Sequence, residues 1–127
     1  MLAVKRAKAL IQSASFSMLN KIYANNIPDT ENDNSHETIC LITDVGTDIA
    51  LQGNMDFHAL DQTVEVQVFY SLDAPDPADF ETQLMHLFIR NGWSKIDDSP
   101  HIFDPDTHQL TMTWYFNYFE IEKEGKD

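Results

Sequence analysis

The residues best suited to chemistry gather around one short turn: His101, Asp104, Asp106 and His108. Two imidazoles and two carboxylates in so small a space form the donor set of a divalent-metal site, and with it of a metal-dependent hydrolase. Their spacing matches no zinc or calcium loop, and an EF-hand pattern lacks its central glycine and terminal glutamate. Aspartates flanking Pro105 also have a structural reason to be there, because such side chains bond the backbone of their own turn. His36, His58 and His86 are scattered along the chain. There is no glycine-rich phosphate loop, no nucleophile elbow and no cysteine with a histidine partner in sight. With no motif that locates a reacting group, the sequence predicts no catalysis, no cofactor and no resident metal.

The elements that would carry any site belong to a chain of 127 residues, one domain by length (1–127). With 43% hydrophobic and 11% aromatic residues it has the means to build a core. No run approaches the ~18 apolar residues of a membrane span, and Gln12, Ser13 and Ser15 interrupt what an export signal would need. The single cysteine, Cys40, excludes an internal disulfide. Its neighbours Ile39, Leu41 and Ile42 predict a buried, inert thiol, as suits assembly in a reducing cytosol.

The formal net charge is −13, which argues against a protein that binds nucleic acid by neutralising phosphates. The charge is also polarised. Residues 1–28 hold Lys5, Arg6, Lys8 and Lys21 and no carboxylate, whereas all 21 acidic residues lie in 29–127. Such a dipolar subunit suits docking onto an unlike surface or onto a copy of itself. The plainer account is that the acidic part keeps a small protein soluble.

The longest β-favouring run, Gln109–Ile121, predicts a strand around which the rest is organised. One face would carry Leu110, Met112, Trp114, Phe116 and Tyr118. The other, mixed early and apolar late, would end in Phe119 and Ile121. Residues 2–23 predict a helix, since Val4, Ala7, Ile11, Ala14, Met18 and Ile22 share a stripe. Lys5, Arg6 and Lys8 lie off that stripe and oppose the helix dipole, so an acidic partner surface is one reason for them; a solvated basic end is the simpler one. Residues 25–37 read as a polar surface connection and 38–44 as a buried strand. Residues 45–61, in which Gly46 and Gly53-Asn54 bracket Thr47–Gln52, predict a flexible loop or an arm projecting from the sheet. Gln62–Ser71 alternates as a second clear strand. Asp76 and Pro77 open a second helix that Asn91 and Gly92 close. Trp93–Phe103 is a strand interrupted by Pro100, turned at Asp104–Thr107 into the last strand, and 122–127 is a charged, frayed tail. The order α-β-β-α-β-β predicts a two-layer α+β domain: a mainly antiparallel four-stranded sheet with two helices on one face.

Three stretches carry a resemblance: Ile22–Pro28 (IYANNIP), Thr63–Tyr70 (TVEVQVFY), and the turn Asp104–Thr107 leading into Thr113–Phe116 (TWYF). Together they resemble a family of small tail proteins of long-tailed phages of lactic-acid bacteria, and the element order is similar to that of phage tail terminator proteins. The resemblance covers most of the chain, and its motifs belong to the fold and carry no catalytic group. It implies a homo-oligomeric ring, expected as a hexamer, that caps the tail tube, stops its polymerisation and joins it to the head connector. The implied partners are copies of itself, the major tail tube protein and the head-tail connector protein, with DNA passing through unbound. The implied place is the virion tail or neck, after assembly in the host bacterial cytoplasm. On this reading Lys5, Arg6, Lys8, Phe119 and Ile121 meet partners, and Asp48, Asp56, Asp61 and Glu65 line an acidic channel that repels phosphates. Another neck or head-tail joining protein, an acidic DNA-mimicking inhibitor, and the metal hydrolase are the competing expectations.

Overall fold

The fold is described from a computed structural model covering residues 1–31, 34–52 and 57–121. The elements are α1 (Ala3–Ala14), β1 (Lys21–Ala24), a 3-10 turn (Asp29–Glu31), β2 (Ile39–Gln52), β3 (Phe57–Phe69), α2 (Ala78–Arg90), β4 (Trp93–Phe103) and β5 (Leu110–Ile121). The strands form one mixed sheet in the order β1-β2-β3-β5-β4, and both helices pack on the same face. The expected α+β layering is therefore present, with five strands where four were expected.

The fifth strand comes out of the predicted first helix. That helix ends at Ala14, where Ser15 takes the left-handed conformation (φ 51°, ψ 47°). The chain then turns, and Lys21–Ala24 pairs in parallel with Ile39–Ile42. Asn20 latches the start of this strand: its N–H donates to the Thr38 carbonyl at 2.9 Å, and its Oδ1 accepts the Thr38 N–H at 2.7 Å. Met18 and Ile22, read from the sequence as helical stripe residues, still pack against the core from the turn and from β1.

Residues 45–61, expected as a loop or an arm, are paired where described. The β2–β3 pairing continues outward through Gly46↔Thr63, Asp48↔Asp61 and Ile49↔Leu60, with register shifts after Asp44 and Ile49. The described part is thus a paired β-arm, not an irregular loop; Gly46 (φ 157°) lies at the first shift. Asp56 and the tail 122–127 lie outside the described residues.

The core lies between the helices and one sheet face. Ala3, Val4, Ala7 and Ile11 of α1, and Phe80, Leu84 and Phe88 of α2, meet Cys40, Ile42, Val64, Val66, Val68, Trp114 and Phe116. Phe88 stacks on Phe116 with centroids 4.1 Å apart, and Trp93 meets Phe88 edge-on at 5.3 Å. Trp93 and Trp114 are both buried, so neither lines a groove. Cys40 is fully buried as expected, and burial pushes its thiol up to about 12. Asp76 does not cap α2 directly; its Oδ1 accepts the Ala78 N–H at 2.9 Å, one residue before the cap position taken by Pro77.

The sheet margins are unlike its middle. β1 is four residues long, and the β4–β5 pairing is irregular between Lys95 and Asp97 and again between Ser99 and Ile102, across Pro100.

Candidate interaction face

Alternation along each strand sends one set of side chains to the core and the other to the uncovered face of the sheet. On β3 the core set is Val64, Val66 and Val68, so the open set is Asp61, Thr63, Glu65, Gln67 and Phe69. The register extends it sideways. Thr43, Glu65, Tyr115 and Asp97 form one cross-strand row, and Thr63, Asn117 and Ser94 form the next. The open face is polar and acidic, with Phe119 exposed at its edge opposite Asp61.

These side chains are tied to one another. Tyr115 donates its hydroxyl to Glu65 Oε2 at 2.8 Å, and the bond holds the tyrosine above its ordinary pKa, so the pair stays a neutral donor on a carboxylate. Asn117 Nδ2 donates to Asp61 Oδ1 at 2.7 Å. Asp48 stands directly across from Asp61 on the arm, two like charges in one pair, a destabilising placement in a sheet. Of the four carboxylates expected to line a channel, Asp61 and Glu65 lie on this face and Asp48 pairs beside them; Asp56 falls outside the described residues. Asp97, which the sequence reading did not single out, joins Glu65 through Tyr115 in the same row. Only the register reveals it, because Asp97 follows an irregularity in β4.

At the sheet's other margin the polar connection folds back onto β1. Glu31 Oε2 accepts from Lys21 Nζ and from the Tyr23 hydroxyl at 2.7 Å, while its Oε1 accepts from Asn34 at 2.6 Å. The bonds from Lys21, Asn34 and Tyr23 together hold the Glu31 carboxyl at about 2.

The basic end is divided by the structure. Arg6 is used within the chain: its guanidinium lies 4.4 Å above the Tyr118 ring and its Nη2 is 3.7 Å from Glu120 Oε2. Lys5 is exposed and lines a groove of ≈ 840 Å³ between the start of α1 and the base of the arm. Leu2, Val4, Ala24 and Leu60 give that groove apolar walls, and buried Gln62 contributes to it with its Oε1 unpartnered. Lys8 is half-buried on the same helix. Ile121 closes β5 opposite Ala59.

A model of the family described as "Protein of unknown function (DUF806)" matches residues 2–119. The chain belongs to that family. The family match takes in both helices and all five strands but for the last two residues of β5. No curated protein matches the chain.

The turn that offered a metal-type donor set is used otherwise in this DUF806 member. Asp104 Oδ1 accepts the backbone N–H groups of Asp106 (2.8 Å) and Thr107 (3.0 Å), and these bonds hold its carboxyl below the usual range. His108 adopts a left-handed conformation (φ 65°) and its N–H donates to the Asp104 carbonyl at 2.8 Å. His101 turns away to Glu81 on α2. Among the described residues no three potential ligands converge on one point.

Proposed function

We propose that this protein is a structural subunit of a phage tail, a terminator that forms a ring of identical copies, caps the tail tube, stops its growth and joins it to the head connector. The observation that carries the reading is the division of the sheet. One face is closed by two helices over the whole core, and the other is an open row of bonded carboxylates and amides with Asp61, Glu65 and Asp97 at its centre. Facing a lumen, such a surface lets DNA pass, because phosphates are repelled and no counterions are released to favour binding. The finer resemblance to tail proteins of phages of lactic-acid bacteria adds the ring and its partners.

The same acidic face supports a second reading, a DNA mimic that occupies the binding site of a DNA-binding enzyme. Mass in solution separates them. Light scattering across a concentration series, alone and with tail tubes, is expected to give a closed oligomer and capped tubes. A monomer or dimer at every concentration that leaves tubes uncapped overturns the terminator reading.

A further inference from the structure

We propose that the two ends of the sheet are the two halves of one contact between copies: the groove beside α1 of one subunit receives the Phe103 corner of the next. The proposal rests on the self-assembly part of the reading above and names the surfaces that would make it.

At one end of the sheet the ≈ 840 Å³ groove has Leu2, Val4 and Leu60 in its walls, with Leu2 69% exposed. α1 starts there with no side-chain cap and no acidic residue in its first turn. The positive end of the helix is therefore uncompensated, and Lys5 adds a full charge beside it. Of the two carboxylates in the groove, Glu120 is already engaged by Arg6 and Gln62, which leaves Asp44 as the opposing charge.

At the other end, the corner between β4 and β5 presents Ile102 and Phe103, 60% and 71% exposed, with Leu72 nearby at 50%. Asp106 follows on the turn, exposed and with its carboxylate unbonded among the described residues, while Asp104 spends its Oδ1 on the backbone. Asp76 borders the same corner. One end is thus an apolar hollow with a positive rim, and the other an apolar projection with a negative rim.

β5 separates the two ends, Leu110 at one and Glu120 at the other, by about 30 Å at ~3.3 Å per residue. The two ends cannot meet within one chain. Between copies stacked end to end their union is head-to-tail, the kind that closes into a ring when the rotation permits, whereas copies laid antiparallel would engage both contacts as a two-fold dimer, which the mass in solution distinguishes.

The test uses the full chain in two forms. The corner variant carries Phe103→Ser with Asp106→Lys, and the groove variant carries Leu2→Ser with Lys5→Glu; all four positions are exposed, so folding is retained. Light scattering is expected to show each variant alone shifted to assembly at roughly tenfold or higher concentration, the loss typical of an interface anchor. An equimolar mixture keeps one intact groove and one intact corner and is expected to stop at a heterodimer. As an independent check, Leu2→Cys and Phe103→Cys chains oxidised together should yield a cross-linked pair, with Cys40 silent in the core. If wild type assembles and both variants assemble equally well without the cross-link, the groove-to-corner contact is wrong and self-assembly stands on another surface. If wild type stays monomeric throughout and no cross-link forms, both readings fall.

Discussion

His101 Nε2 lies 2.7 Å from Oε2 and 2.9 Å from Oε1 of Glu81, and Glu81 Oε2 also accepts the Tyr70 hydroxyl at 2.6 Å. The three residues join β4, α2 and the end of β3, and Glu81 and Tyr70 are buried. Burial, and then the bond to Glu81, raise the Tyr70 hydroxyl far above its ordinary pKa, so it remains a donor. Tyr70→Phe removes that donor from a buried carboxylate and is expected to cost about 1–3 kcal/mol, read as a lower urea midpoint with an unchanged slope.

The stacked pair Phe88 and Phe116 holds α2 to the sheet. Phe88→Ala empties a fully buried site between Trp93 and Phe116 and is expected to cost about 3–5 kcal/mol. Chemical denaturation followed by tryptophan fluorescence measures it, since Trp93 loses its edge contact.

Glu31 sets an acid limit on the β1 margin. Its carboxyl binds a proton more weakly when folded, at about 2, than in the unfolded chain, at about 4.3. The stability this contributes is complete above about pH 5 and disappears as pH falls through the folded value. Wild type is expected to lose stability over that window, and Glu31→Gln to be less stable at neutral pH with a flatter acid limb. Urea midpoints measured from pH 7 downward test both parts.

Asp48 and Asp61 face each other across the arm. Asp48→Asn removes one of two like charges, so the melting temperature is expected to rise at low ionic strength and the gain to shrink as salt screens the pair. If the carboxylates serve a DNA channel, the same change leaves the fold better and DNA passage poorer, which ejection assays on reconstituted particles would register.

On the proposed terminator reading Lys5, exposed, and Lys8, half-buried, would be the parts of the basic end that meet a partner, whereas Arg6 packs on Tyr118. Reversing Lys5 and Lys8 to Glu is expected to spare the melting temperature and reduce joining of tails to heads. Reversing Arg6 is expected to lower the melting temperature as well. Joining unchanged by the double reversal would remove these lysines from the interface.

Much of this architecture could be read from residue order. The α2 stripe of Phe80, Leu84 and Phe88, the alternation of Val64, Val66 and Val68, and the Pro100 interruption all occur where local pattern and burial agree. β1 was hidden because Ile22 continues the α1 spacing while packing on the core from a strand, and nothing in KIYA distinguishes four strand residues from a helical turn. For residues 45–61 an arm was one of two expectations, but its β pairing was not legible, because Gly46 and the acidic residues suggest a loop and the register shifts break the alternation that marks a strand. Of the acidic face, Glu65 is legible from the alternation of Gln62–Ser71, whereas Asp61 falls just before that strand in the sequence pattern and its place on the face comes from the β3 pairing. Asp97 was not legible, since its place depends on a long-range pairing across an irregular strand.

The sheet's two margins bear on how the protein behaves when crowded. A four-residue rim at β1 continued by the bulged outer half of β2, and a proline-broken rim at β4, leave a stray polypeptide little regular ladder to zip onto. Sideways fusion into fibrils is discouraged at both flanks, so dense populations of this molecule can stay dispersed until a specific encounter brings strand ends together.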